Sequence, residues 1–283
     1  MINNSANLKQ LQDILRRMES VVVAYSGGVD STFLLKLAKD TLHNNVIAVT
    51  AVSETYPQKE RIFAAQMTKE LRVRHIFIKT HELKNENFNK NPVNRCYFCK
   101  KELFKNLKCL AKEKNICNVV DAATVDDLKD FRPGRIAGKE MGIRSPLMEA
   151  HFTKNDVRIF SKRLRLCSWN KPSMACLASR LPYGQKITKS KLKMIEHAEE
   201  YLKNLGFFNV RVRNHNNLAR IEVAPEKLKT IFKYIKQIIF RFKKIGFDYI
   251  TIDLEGFRSG SMNIIKTVSR YGNFKKSYQN FPL

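Results

Sequence analysis

Apolar residues are grouped along the chain in short continuous runs, separated by stretches in which they recur every three to four positions. Val21-Val22-Val23-Ala24-Tyr25 and Val46–Val52 are strand-length and largely apolar, as expected of strands covered on both faces, and His75–Lys79 reads as a third strand. Residues 7–19, 32–39 and 57–72 carry helical periodicity, residues 100–114 predict a further helix, and Val119–Asp121 a short fourth strand. Strands alternating with helices over the first ~150 residues predict an α/β domain with a parallel sheet flanked by helices. Residues 84–99 and 121–135 are polar and predicted as loops. Thr153, with Asp156 three positions on, predicts a capped helix running to about Leu166.

From about residue 185 the pattern changes. A helix from Thr188 to Leu205 stops at Gly206, Phe208–Val212 and Leu218–Val223 read as strands, and Pro225 opens a long helix to Lys244 with Tyr249–Leu254 as a last strand. The expected organisation is an α/β domain over 1–184, a smaller α+β domain over 185–271 and a tail over 272–283, with no internal repeats.

Composition narrows the class. Of 283 residues 43% are hydrophobic and 28% charged, which excludes collagen-like, low-complexity and generally disordered chains. No apolar run approaches the ~20 residues of a membrane-spanning helix. The polar N-terminus lacks an apolar signal core, so the expected compartment is the cytoplasm. The net charge is +26, with the larger surplus after residue 150. Such a charge suits either a nucleic acid or a small polyanionic substrate, and nucleic acid is the less expected partner. The six cysteines (Cys96, Cys99, Cys109, Cys117, Cys167 and Cys176) are expected as thiols. Cys96 and Cys99 are spaced C-x-x-C, open to a cluster, half of a zinc site, a redox dithiol or no role, and Cys109, Cys117 and Cys167 are expected to be buried and inert.

Ser26-Gly27-Gly28-Val29-Asp30-Ser31 lies between a buried strand and a helix. Glycines at a sharp turn expose backbone N–H groups, the helix N-terminus adds positive potential, and Ser26 and Ser31 add hydroxyls: together an anion cradle suited to pyrophosphate. Asp30 is a candidate to cap the helix or to organise Mg²⁺. The G-x-x-x-x-G-K-[ST] and G-x-G-x-x-G patterns are absent. Asp126, Asp127 and Asp130 are further candidates for Mg²⁺, and Arg132 and Arg135 for phosphate charge.

The SGGVDS segment resembles the PP-loop of the ATP pyrophosphatase superfamily, an adenine nucleotide alpha hydrolase-like fold, in which Val49–Ser53, including Val49 and Ala51, lies beside the adenosine. SGGVDS (26–31), DDLKDFRPG (126–134), WNKPSMACLASRLPYG (169–184), VRVRNHNNLARIEV (210–223) and LEGFRSG (254–260) together resemble the LarE family over about residues 8–270. The resemblance implies MgATP-dependent adenylation of the carboxylates of pyridinium-3,5-biscarboxylic acid mononucleotide, pyrophosphate release and conversion to thiocarboxylates for a nickel-pincer cofactor. It also implies a homo-oligomer, up to a hexamer.

Such a substrate is small and polyanionic, and arginine's planar fork suits carboxylate and phosphate. Arg211 and Arg213 alternate on a predicted strand and so share a face, while Arg180, Arg220 and Arg258 come from other motif segments. Each is a candidate substrate group or a structural ion pair. Glu222, with Glu199 and Glu200, is a candidate acidic metal or oligomer contact. Cys176, in SMACLASR, matches the family's sulfur-handling cysteine, which in sacrificial members gives up its sulfur and becomes dehydroalanine. Asn-Arg-Cys96-Tyr-Phe-Cys99-Lys departs from those members and resembles the three-cysteine branch, in which Cys96, Cys99 and Cys176 hold a [4Fe–4S] cluster whose open iron carries sulfide. A PP-loop tRNA thiolase, an amidating enzyme such as an NAD synthetase and a nucleotide sensor are the rival functions.

Overall fold

The computed structural model describes residues 4–128, 132–172, 175–258 and 261–262. The chain forms two compact units, one of residues 1–177 with 186–189, the other of 178–185 with the residues from 190 on.

The first unit runs α1 (Asn4–Met18), β1 (Val21–Ala24), α2 (Val29–Leu42), β2 (Val46–Val52), α3 (Gln58–Glu70), β3 (Arg74–Lys79), α4 (Glu86–Asn89), α5 (Arg95–Glu113), β4 (Asn118–Val120), α6 (Pro133–Glu140), α7 (Pro146–Glu149) and α8 (Lys154–Arg163). Its sheet has the order β3-β2-β1-β4, and every pairing is parallel. Alternation along β1 explains its unbroken apolarity. Val21 and Val23 join a core with Leu11, Phe33, Phe152 and Phe160 from α1, α2, α8 and the turn before α8, while Val22 enters a core with Phe104, Leu107 and Ala137 from α5 and α6. The chain moves outward from β1 to β3 and then returns to β4 on the other side. The carboxyl end of β1 is therefore a topological switch point, where open α/β sheets leave a crevice for ligands. The Thr153–Asp156 capping box predicted for α8 forms in both directions.

Two expectations change. Residues 84–99 are not a single loop: the Asn85 side chain accepts from the Asn87 N–H to start α4, and α5 begins at Arg95. Cys96 and Cys99 therefore stand one turn apart on the same face of α5. Polar Asn and Lys residues hide the start of this helix from a periodicity reading, because its buried apolar positions, Phe104, Leu107 and Ala111, come later. The stretch 121–135 likewise contains a tight turn at Val125–Leu128 and the start of α6, opened by Pro133 in its first turn.

The second unit contains most of α9 (Lys189–Asn204), then β5 (Val210–His215), β6 (Leu218–Val223), α10 (Leu228–Ile231), α11 (Ile235–Ile245) and β7 (Tyr249–Ile252). β5 pairs antiparallel with β6, and β6 parallel with β7. Leu202, Val212, Ile221, Ile238 and Phe242 meet in its core. The long helix expected over 225–244 is broken by 3₁₀ turns at Pro225–Lys227 and Phe232–Tyr234. Ile231, Phe232, Tyr234 and Ile235 are β-branched or aromatic, and such residues support a continuous helix weakly. No helix among the described residues is long and apolar enough to cross a membrane.

Candidate active site

The 26–31 turn is built as an anion cradle. Gly27 has φ +67°, and a Cβ there would lie 3.2 Å from Ala64 Cβ on α3, so both backbone angle and packing require glycine. Gly28 is the N-cap of α2 in extended conformation and, having no side chain, makes no side-chain cap bond to the first turn. The Ser26 and Ser31 hydroxyls stand 3.1 Å apart, and Ser31 Oγ donates to the Gly28 carbonyl at 3.2 Å. Gly27→Ala is expected to lower stability by roughly 1–2 kcal/mol, the cost of a left-handed alanine, and to weaken MgATP binding. Gly28→Ala, where a Cβ meets only Ser26 Oγ at 3.3 Å, is expected to be milder. Thermal unfolding together with MgATP titration of the two variants checks the difference.

Asp30, in the first turn of α2, is half-buried, and burial raises its carboxyl to about 6. Lys154, Arg158 and Arg132 oppose that shift and Asp127 adds to it. Asp127 is nearly inaccessible. It pairs with Arg132 at 3.1 Å and Lys154 at 3.0 Å and accepts the Thr124 N–H, while Arg135 Nη1 donates to its carbonyl. Asp126 accepts the Lys154 backbone N–H at 2.6 Å, which opens α8. Of the three candidate Mg²⁺ acids in the 126–130 segment, Asp126 and Asp127 thus have structural partners, and Asp130 lies outside the described residues. On β2, Val49 packs into the core and its carbonyl accepts the Tyr25 N–H, so Ala51 and Ser53 stand nearer the carboxyl edge of the sheet than Val49 does.

Cys176 lies beside that edge. Leu177 N–H donates to the carbonyl of Thr55, three residues past β2, which docks the exposed Cys176 there. Burial, the Glu82 carboxylate and the Cys176 thiol push the Cys99 thiol well above its usual range; Lys100 opposes this and Cys96 adds to it. Glu82 is buried, accepts Ser53 Oγ and Thr55 Oγ1, and keeps Oε2 without a hydrogen-bond partner. Among the described residues no three Cys, His, Asp or Glu side chains form a ready-made metal site. Thiols are soft donors that metal binding deprotonates, so Cys96, Cys99 and Cys176 are of the right chemical type for an iron–sulfur cluster. Gly134 brings the Arg-Pro-Gly turn onto this helix: a Cβ there would lie 2.8 Å from Lys100 Cγ and 3.4 Å from the Cys96 carbonyl oxygen. Cys109, Cys117 and Cys167 are exposed, contrary to expectation. Cys109 lies on the solvent side of α5, opposite Leu107 and Ala111.

In the second unit most motif arginines have acidic partners. Arg180 is buried and pairs with Glu199 through two bonds of 2.8 and 3.1 Å, and Glu199 also accepts the Val212 N–H. Arg213 donates to Glu222 at 2.6 Å, to Ser261 and to the Ser179 carbonyl, and Arg220 reaches the other Glu222 oxygen at 3.1 Å. Glu222 is fully buried as the counter-ion of two arginines, which leaves its carboxylate committed rather than open to a metal. Arg258 is half-exposed and pairs with Glu255. Arg211 lies over the Phe257 ring at 4.9 Å. Burial and the neighbouring Arg180 lower Arg211 to about 10, with Arg213 acting in the same direction against Glu199 and Glu222. A bound anion would offset that crowding of cations.

Sequence reasoning did not single out Lys171, Glu60, Tyr56 or Glu82. Lys171 stands inside the 169–184 motif, so only that one carried a signal.

Comparison with known proteins agrees with this geometry. A family described as NAD synthase matches residues 6–115, the part that contains the glycine turn and the first strands. An uncharacterized protein of Synechocystis is 42% identical over 264 residues, 93% of this chain and 98% of that one. The pyridinium-3,5-bisthiocarboxylic acid mononucleotide synthase of Lactiplantibacillus plantarum is 37% identical over 261 residues, 92% of this chain and 95% of the relative. An uncharacterized protein of Methanocaldococcus jannaschii is 34% identical over 246 residues, 85% and 92% of the two chains. The parallel sheet with its glycine turn after β1 is a PP-loop ATP pyrophosphatase fold. Because the second unit is matched along with the first, the chain belongs to the LarE family, that of pyridinium-3,5-bisthiocarboxylic acid mononucleotide synthase.

Proposed function

We propose that this chain is an ATP-dependent sulfur transferase acting on pyridinium-3,5-biscarboxylic acid mononucleotide. A carboxylate is a poor electrophile because oxide is a poor leaving group. Attack of the carboxylate oxygen on the α-phosphorus of ATP releases pyrophosphate and forms an acyl adenylate, and attack of sulfur at its carbonyl carbon then expels AMP and leaves a thiocarboxylate. The observation that carries this reading is the near full-length likeness to the Lactiplantibacillus enzyme, with Cys176 docked on Thr55 in the same unit as the glycine turn.

The N–H groups of Gly27 and Gly28 would take the pyrophosphate, with Asp30 holding Mg²⁺ as a carboxylate whose raised pKa a cation relieves. Arg211 and Arg258 are the arginines best suited to the substrate's phosphate and carboxylates, because Arg180 and Arg213 are buried against Glu199 and Glu222. Cys96, Cys99 and Cys176 would hold the [4Fe–4S] cluster, which when bound supplies sulfide from its open iron and spares Cys176. A homo-oligomer belongs to the same proposal.

The test is ATP–pyrophosphate exchange on the full chain. Exchange is expected with the pyridinium dicarboxylate mononucleotide and not with nicotinate adenine dinucleotide. Exchange with the dinucleotide alone would favour an amidating enzyme, and exchange that requires tRNA a tRNA thiolase.

A further inference from the structure

A planar trans peptide points its C=O and the following N–H in opposite directions, so a group that holds the carbonyl also aims the N–H. Two carbonyls of the glycine turn are held in this way. The Tyr56 hydroxyl lies 3.1 Å from the Ser26 carbonyl oxygen, and Lys171 Nζ donates to the Gly27 carbonyl oxygen at 3.0 Å. The opposed N–H groups are those of Gly27 and Gly28, the donors an anion would use; the Gly28 N–H meanwhile makes a long 3.4 Å bond to Ser26 Oγ, which an anion would replace. Lys171 is itself fixed on several sides. Its Nζ pairs with Glu60 Oε2 at 2.5 Å and lies 3.6 Å from the centre of the Phe63 ring, both on α3. Arg158, on α8, donates to the Trp169 and Lys171 carbonyls and so holds the turn that carries this lysine. Lys171 is largely buried, with 15% of its side chain exposed, and desolvation lowers its pKa against the pull of Glu60. This ammonium stands behind the cradle, on the carbonyl side, and its charge is balanced before any phosphate arrives.

We infer that Lys171 is a positioning residue for the pyrophosphate half of ATP: together with Tyr56 and Glu60 it holds the carbonyls of the glycine turn so that the Gly27 and Gly28 N–H groups face the phosphates. The inference rests on the proposed adenylation reading and adds the residues that shape its phosphate site. The brace sits five residues before Cys176 in the chain, so one segment carries both the support of the nucleotide turn and the sulfur-handling thiol.

The experiment is calorimetric titration of the full chain with magnesium pyrophosphate and, separately, with AMP. Lys171→Met, which keeps the aliphatic stem over Phe63, is expected to weaken pyrophosphate about tenfold, the scale of one charged hydrogen bond, with AMP unchanged. Lys171→Arg should retain most of the pyrophosphate affinity. Glu60→Gln, which frees the ammonium, should weaken pyrophosphate severalfold. Tighter pyrophosphate binding by Glu60→Gln would mean that Lys171 meets the phosphate directly, and would overturn the inference. Equal losses for pyrophosphate and AMP, or none for Lys171→Met, would overturn it as well. Should Lys171→Met fail to fold, Tyr56→Phe reads the same brace through the Ser26 carbonyl: a loss for pyrophosphate alone supports the inference, and equal losses or none overturn it. Wild-type protein that binds neither pyrophosphate nor MgATP contradicts the proposed function itself, whereas normal wild-type binding with an indifferent Lys171 contradicts only the inference.

Discussion

Cys176→Ala protein, handled without oxygen, should still exchange pyrophosphate into ATP with the pyridinium dicarboxylate but form no thiocarboxylate. The phosphate cradle draws on Ser26, Gly27, Gly28 and Ser31, and the Cys176 thiol is assigned to the later sulfur-transfer step. Removing the group that handles sulfur should cost at least about 10³-fold in the second step, as loss of a nucleophile does elsewhere. On the cluster proposal, Cys99→Ala should behave in the same way and also fail to take up iron, since Cys99 is one of the three proposed ligands. Loss of exchange in step with loss of product would place Cys176 in the adenylation site instead. The two steps can be followed separately, by labelled pyrophosphate and by product mass.

The second large effect concerns stability. Arg180 and Glu199 are each about 2% exposed and face one another through two hydrogen bonds. Removing one partner leaves a buried charge unpaired, so Glu199→Ala should destabilise the protein by about 3–5 kcal/mol. The double variant Arg180→Met with Glu199→Leu should recover much of that loss, since paired apolar groups of similar size carry no desolvation cost. Burial alone would raise the Glu199 carboxyl, but Arg180 beside it holds the value below the usual 4.5. The sign follows: the pair's contribution is complete above that ordinary value and is lost as pH falls through the lower, folded one. Acid denaturation should therefore show a limb below pH 4.5 that is absent in the double variant. Denaturant unfolding of the single and double variants measures both effects. A single variant as stable as wild type would contradict the buried pairing.

Much of the first unit was legible because its signals are local. The valine run of β1, the glycines after it and the Thr153–Asp156 box each depend on neighbours within a few positions, and each appears where the pattern predicted it. What stayed hidden depends on partners distant in the chain. Lys171 is one motif residue among many until Gly27, 144 positions away, accepts its hydrogen bond. For Arg180 and Arg213 the sequence left substrate group and structural ion pair both open, because nothing in a linear pattern shows that Glu199 and Glu222 fold against them. The start of α5 was missed for another reason. Its first turn carries Cys96 and Cys99 on a half-exposed face, where no apolar period marks a helix. Correcting that turn changes the chemistry as well as the boundary, since a helix sets two thiols on one face and a flexible loop does not.

The central claim is that sulfur reaches the activated carboxyl without being cut out of the protein, through Cys96, Cys99 and Cys176 acting together. Mass spectrometry of product and protein after anaerobic incubation with MgATP, the pyridinium dicarboxylate mononucleotide and sulfide tests it most directly. The account predicts more than one thiocarboxylate formed per chain with Cys176 at its full mass. One equivalent or less per chain, with Cys176 lighter by the mass of H₂S, would contradict it.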